Sequence, residues 1–521
     1  MIIASAMTKL LDEKDCIEVK KGYCLCNQGF QFQIFLDRKK REKEAVKISG
    51  TLAEYITAYR VFDIKGKYDH PLNKTDEYYI KSEDDMYPDL LKKIDELNTT
   101  EQEKCVLLID VCEREKPAGV HTVTIQIGTQ TAEFTLEVFK GKLTEADIIF
   151  TNWFHLDGIC HYYKVEPFSK EFYQHISRFL DAYVKMGNNM ILVPAFTPPL
   201  DTEVGGERLT TQLVKIQKRR SRYHFDFSGM KKYLDFCKEK GIKYFEHSHL
   251  FTQWGGAKCP KIMVEEDGKE YNAFGWDVDS TDIKYKRFLR QYLKALNGFL
   301  KQENLKDAFY LHLTDEPNIK HIKKYQALSR FIRRNARGLK TMDALSEKEF
   351  ASAVDIPVVA MNSKELSLFD ENKMLYYCTE VDNEYITNRY FHMPLQRTEI
   401  LGFQLYENKA KGFLHWGYNF YNKQYSKGPV NPYEDTMAGG GFPAGDSFIV
   451  YPGEEQVDLS VRYFSIKRAF EDYRLLKTVE KKLGEEATFK MLHENGVQGV
   501  HIYPKSVKWH EEFRKKLMDC I

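Results

Sequence analysis

Over the first ~145 residues, apolar side chains recur at every second position in short runs, at 31–36, 105–111, 120–127 and 131–139. Turn signals such as Lys116-Pro-Ala-Gly119 separate them. Period-2 alternation between turns predicts half-buried strands, and regular spacing of such strands predicts an antiparallel β-sandwich. From Asp147 the pattern changes. Apolar runs at 148–155, 190–196, 243–247, 308–314, 340–345, 356–361, 374–378 and 412–416 alternate with stretches of helical periodicity, among them 170–186, 228–240, 283–302 and 319–337. Eight strands, mostly each followed by a helix, predict the α/β class and a (β/α)8 TIM barrel. A doubly wound open sheet is the alternative, but no glycine-rich phosphate fingerprint follows any strand. A helical stretch over 459–480 supplies the last barrel helix. The expected organisation is a sandwich over 1–145, a barrel over 146–480 and a helical extension over 481–521 packed on the barrel.

Bulk properties narrow the function classes. A chain of 521 residues is too long for one ordinary core. Its 77 basic and 76 acidic residues are well mixed and leave a net charge of +1. That balance argues against a nucleic-acid partner or an anionic-membrane surface. No segment approaches the ~20 apolar residues that cross a bilayer, and the N-terminus has no basic region ahead of its short apolar stretch. The ten cysteines are scattered, and Cys24-Leu-Cys26 has no matching second pair, so a zinc site is not expected. Cys378, in an apolar strand context, fits a reduced core thiol, and the expectation is a cytoplasmic protein. His247 and His249 share a strand face by spacing, yet no carboxylate or cysteine cluster completes a metal site; neither metal nor cofactor is expected. Aromatics make up 14% of the chain. Tyr and Trp suit stacking on sugar rings, although most of these rings belong to the core.

The candidate chemistry sits at the strand ends. Ala308-Phe-Tyr-Leu-His-Leu-Thr-Asp-Glu-Pro-Asn318 places adjacent carboxylates, Asp315 and Glu316, where a strand stops at a proline that has no N–H for the ladder. Two neighbouring carboxylates do not share full charge cheaply, so one is raised and serves as an acid beside a charged stabiliser. The plainer reading is a solvated turn with an N-capping Asp before a helix starting near Ile319. The other strand ends favour chemistry: Asn152-Trp-Phe-His155, Glu246-His-Ser-His249 followed by Trp254, Tyr376-Tyr-Cys-Thr-Glu380, and His415-Trp-Gly-Tyr-Asn419. In a barrel these ends form the active face. Carboxylates and aromatics converging there are what glycoside hydrolysis requires, with an acid for the leaving oxygen and an anion near the oxocarbenium ion.

Three blocks carry a resemblance. Lys411-Gly-Phe-Leu-His-Trp-Gly-Tyr-Asn-Phe-Tyr421 is followed by Asn431-Pro-Tyr433 and by Phe442-Pro-Ala-Gly-Asp-Ser-Phe-Ile-Val-Tyr-Pro-Gly453. With Leu313-Thr-Asp-Glu-Pro317 they resemble the catalytic domain of glycoside hydrolase family 123 and its uncharacterised relatives, over roughly 143–476. The resemblance implies a retaining β-N-acetylgalactosaminidase-like hydrolase, a β-N-acetylhexosaminidase whose substrate's own acetamido oxygen is the nucleophile. It implies Glu316 as general acid/base and Asp315 as the residue that orients the acetamido N–H and stabilises the intermediate. Trp153, Trp254, Tyr377, Trp416, Tyr418 and Asn419 are candidates for lining the sugar subsite, and Asp446 for a sugar hydroxyl or a turn. Arg397 and Arg462 are expected to be structural ion-pair partners. The helix at Ser460-Val-Arg-Tyr-Phe departs from the family pattern, at a position expected to be structural. Two alternatives accompany this reading: direct displacement with Glu316 as acid/base and Glu380 as nucleophile on a sugar lacking an N-acetyl group, and a carbohydrate-binding protein without turnover.

Overall fold

Parity along one strand shows how the two halves of the chain meet. In Glu103–Val111, residues Cys105, Leu107, Ile109 and Val111 face one core, while Val106 and Leu108 face another. Both faces are apolar because both are covered, and the run is continuous rather than alternating. The strand is central in a six-stranded sheet ordered Ile2–Ser5, Phe30–Arg38, Glu103–Val111, Ile56–Lys65, Met86–Lys93 and Leu459–Ser460. A five-stranded sheet containing Gly119–Ile127 and Gln130–Phe139 covers its outer face. There Val123, Ile125, Ile127, Phe134, Leu136 and Val138 point inward and polar residues outward, as alternation predicts. Pairings are antiparallel except that of Lys21–Leu25 with Gln130–Phe139. The computed structural model describes residues 1–38, 43–72, 75–99, 103–145, 147–377 and 385–521. Ala146, Cys378 and Glu380, which figure in the expectations above, lie outside the described residues.

The inner face of the six-stranded sheet packs on a parallel barrel. Its strands are β1 (Ile149–Asn152), β2 (Met190–Val193), β3 (Tyr244–His247), β4 (Phe309–His312), β5 (Lys340–Leu345), β6 (Ile356–Ala360), β7 (Met374–Tyr376) and β8 (Gly412–His415). Each pairs in parallel with the next from β2 to β8, and β8 pairs with β1. Between β1 and β2 an asparagine replaces the ladder. Asn189 accepts the Phe150 N–H on its Oδ1 at 2.9 Å and donates its own N–H to Phe150 O at 3.0 Å. All eight predicted strands are present, mostly shorter at their C-terminal ends, where the chain turns into the active-face loops. The predicted helices are present as well, at Lys170–Lys185, Ser228–Glu239, Ile283–Gln302 and Ile322–Ala336, the last preceded by a 3-10 turn at Ile319–His321.

A four-stranded sheet was not expected. Lys215–Arg219, Arg222–Asp226, Ile262–Glu266 and Lys269–Phe274 form it in the loops after β2 and β3. Its strands are short and highly charged, with mostly exposed or half-buried side chains, so even an alternating run such as Arg222-Tyr-His-Phe-Asp226 is too brief and polar to stand out from a loop. Among the described residues no helix is long and apolar enough to cross a membrane.

The long helix Val461–Leu483 joins the two parts. Phe470 stacks on Phe150 of β1 at 3.7 Å, and Phe464 meets Tyr59 of the first sheet at 5.9 Å. Arg462, fully buried, grips Asp89 of Met86–Lys93 through Nε at 2.7 Å and Nη2 at 3.0 Å. Its Nη1 donates to Gly445 O at 2.6 Å and Phe448 O at 2.8 Å, in the loop after β8. Arg397 likewise pairs with Asp76 at 2.6 Å. Breaking a buried pair strands a charge, which costs about 3–5 kcal/mol. Asp89→Ala is therefore expected to lower stability by about that amount in urea unfolding, whereas the double replacement Asp89→Leu with Arg462→Met recovers most of it. Equal losses in the single and double variants would contradict this.

Candidate active site

Beneath the active face lies a buried charge layer supplied by three consecutive strands. His312 ends β4, between Glu246 on β3 and Asp343 on β5, all with side chains fully excluded from solvent. Its Nδ1 is 2.7 Å from Glu246 Oε1 and its Nε2 is 3.2 Å from Asp343 Oδ1. Two flanking carboxylates outweigh the desolvation that opposes protonation, and push the imidazole up to about 10. The layer is tied to its surroundings. Glu246 Oε1 accepts the Trp153 indole N–H at 2.9 Å, and Asp343 Oδ2 accepts from Thr314 N, Thr314 Oγ1 and Tyr325 OH at 3.0, 2.9 and 2.8 Å.

Just above this layer the chain leaves β4 and turns. Leu313 N–H still bonds Met342 O at 3.2 Å, and Glu316 N–H bonds Ala344 O at 3.1 Å. Glu316 has φ +42°, a left-handed conformation that costs a non-glycine residue on the order of 1–3 kcal/mol. It is held there by the hydrogen bond to Ala344 of β5. Its Oε1 accepts the Tyr376 hydroxyl at 2.8 Å, from the end of β7. The capping role goes to Asn318, whose side chain accepts from Lys320 N, so Asp315 is not a helix cap. Burial, and then the Glu316 carboxylate, push Asp315 well above the usual carboxylate range, against the pull of the His312 cation.

The pair opens into a pocket of about 840 Å³. Trp153, Trp254, Tyr377 and Trp416 line it, as the strand-end reading expected. Trp254, 42% exposed, sits at the rim with φ +58°, its N–H bonded to Asp315 O at 2.8 Å. Tyr418, Asn419 and Asp446 stand outside the pocket. The Tyr418 hydroxyl bonds Phe179 O at 3.0 Å behind the barrel wall. Asn419 clamps the His155 backbone, accepting N–H at 2.8 Å and donating to O at 3.0 Å. Asp446 is buried against His415 Nε2 at 3.5 Å. Trp416 and Tyr418, two apart, would share a face in a continuing strand. The turn after β8, where Gly417 N–H bonds back to His415 Nδ1 at 3.0 Å, sends them to different sides.

Sequence reading missed Asp201, Gln253 and Tyr425, which also line the pocket. Asp201 follows Pro198-Pro199 beyond β2, a context that signals only a turn. Burial raises its carboxyl to about 6, although it accepts the Tyr425 N–H at 2.8 Å. The layer of Glu246, His312 and Asp343 was missed as a unit, though Glu246 and His312 both lie in strand-end runs. His247 and His249 do not share a face. His247 bonds Tyr292 OH at 2.7 Å outside the barrel, while His249 lies inside, 3.9 Å from the His312 ring, because the strand ends at His247. A nitrogen of His249, one of His312 and an Asp315 oxygen lie within 4.8 Å of one another. Such spacing could hold a cation, but an imidazolium facing two carboxylates has no lone pair to offer.

The sequence pattern of the glycoside hydrolase 123 catalytic domain matches residues 153–479, well over half of the chain. The chain belongs to glycoside hydrolase family 123. As a family 123 member it is a glycoside hydrolase acting on a carbohydrate, which sets aside the binding-only alternative. Among solved structures, a family 123 glycoside hydrolase from Clostridium perfringens, studied for glycolipid glycan hydrolysis, matches over 99% of this chain and 96% of its own at 13% identity, with a TM-score of 0.72. That likeness fixes the shared fold, barrel and sandwich together. An FMN-binding β-glucuronidase from Facaelibacterium prausnitzii L2-6 covers 86% of this chain and 60% of its own at 10% identity, with a TM-score of 0.34. No curated protein matches the sequence.

Proposed function

We propose that this family 123 member is a retaining β-N-acetylhexosaminidase, β-N-acetylgalactosaminidase-like, that works by substrate assistance with Asp315 and Glu316. The acetamido oxygen of the bound sugar attacks the anomeric carbon as the glycosidic C–O bond breaks. Glu316 gives its proton to the departing oxygen, and an oxazolinium ion forms. Asp315 accepts the acetamido N–H and balances the positive charge on that ring. Water then attacks the anomeric carbon from the face the leaving group vacated, passing a proton to Glu316 as the ring opens. Two displacements retain configuration.

The observation that carries this reading is the asymmetry within the pair. Both carboxylates line the pocket, but Glu316 is bonded to the Tyr376 hydroxyl at the end of β7, while Asp315 has an oxygen within 4.8 Å of a nitrogen of the buried His312. A charge stabiliser belongs at the position beside the buried cation, which leaves the proton donor's role to Glu316. Donation of the substrate N–H to Asp315 favours its anion and leaves the proton on Glu316. Comparing aryl β-glycosides of 2-acetamido sugars with their 2-hydroxy analogues tests the mechanism. The acetamido substrate is expected to win by about 10²-fold or more in kcat/KM, as an intramolecular nucleophile should. Faster turnover of the 2-hydroxy sugar, lost in Glu380→Gln, would instead establish direct displacement.

A further inference from the structure

Beneath Asp315, His249 has no solvent exposure, and neither ring nitrogen has a hydrogen-bond partner among the described residues. It is packed, not loose. The Trp153 ring stands edge-on at 5.1 Å and the His312 ring lies over it at 3.9 Å, inclined by 32°. A buried imidazole without partners is costly unless some state of the protein satisfies it. His312 cannot do so, since its two nitrogens face Glu246 and Asp343. Burial, and then the charge on His312, keep His249 neutral, with one N–H donor and one acceptor nitrogen. The Asp315 carboxylate lies close by, with an oxygen within 4.8 Å of a His249 nitrogen.

We propose that His249 is a positioning residue for Asp315. In the substrate complex its N–H is donated to one carboxylate oxygen, which sets the carboxylate plane so that the other oxygen receives the acetamido N–H. The inference rests on the role proposed above for Asp315. The hydrogen bond forms as the substrate draws the charge onto Asp315. A hydrogen bond to the anion favours the anion.

The test compares His249→Phe, which keeps a ring but removes the donor, with His249→Gln, which restores an N–H donor. On an aryl 2-acetamido-β-glycoside, His249→Phe is expected to lose about 10- to 100-fold in kcat with KM within about twofold, an effect confined to the transition state. His249→Gln is expected to recover most of the loss. His249→Leu gives the same result as Phe if the larger ring disturbs folding. The acetamido-to-hydroxy preference is the decisive readout, because loss of packing slows both substrates alike whereas loss of Asp315 positioning slows only the first. An unchanged preference in His249→Phe and His249→Leu, or a Gln variant no better than Phe, overturns the proposal. Asp315→Asn separates the two levels. If it leaves acetamido turnover intact, the substrate-assisted reading falls; if it is damaging while His249→Phe is silent, the positioning role alone falls.

Discussion

Glu316→Gln is expected to lower kcat on an aryl 2-acetamido-β-glycoside by about 10²- to 10⁴-fold, the range for loss of a positioned general acid. Gln keeps the shape of the side chain and can still meet the Tyr376 hydroxyl, so the pocket remains intact. Ligand affinity measured by calorimetry should stay within a few-fold of the parent. The leaving group provides an internal check. A nitrophenolate departs without much protonation, so the variant should lose least on that substrate and most on an alkyl glycoside. The same rate loss on both would indicate that Glu316 does not donate the proton, and near-normal turnover would remove it from the reaction.

Asp315→Asn should cost about 10²- to 10³-fold in kcat on the acetamido substrate, the scale on which removing one preorganised electrostatic contact acts. The amide is nearly isosteric but neutral, and it can present a donor where an acceptor is needed. The 2-hydroxy analogue offers no acetamido N–H and forms no oxazolinium ion, so its slow hydrolysis should barely change. The preference between the two sugars therefore collapses in the variant. A variant that loses both activities equally would point to a disturbed pocket, and one that loses neither would take Asp315 out of the mechanism.

Strand order and number were written plainly in the sequence because each barrel strand is short, apolar and followed by a polar turn. The pair at Asp315 and Glu316 could be found for the same reason: it ends such a run, and Pro317 marks the stop. Trp153, Trp254, Tyr377 and Trp416 followed from their places at strand ends. Tyr418 and Asn419 did not, since alternation holds only while the ladder lasts, and the chain turns at Gly417. His249 was misplaced by the same limit at the end of β3. The charge layer beneath the pair could not be assembled from any single run. Glu246, His312 and Asp343 lie on three strands nearly a hundred residues apart from first to last, and only the parallel pairing of those consecutive strands makes them neighbours. Asp201 and the four-stranded sheet sit in loops whose charged composition hides their burial.

The pairing of Leu459–Ser460 with Leu90–Leu91 in the first sheet constrains how the protein is made. A ribosome adding about 5–20 residues per second completes the partner strand roughly 20–70 s after Leu91 emerges. Throughout that interval the nascent sheet has an open edge, and its inner apolar face has no barrel to cover it. Asp89, too, waits without its arginine. Slow or truncated synthesis should therefore hold the chain in an adhesive half-built state that a chaperone would recognise, and detaching the sandwich by genetic dissection would make that state permanent.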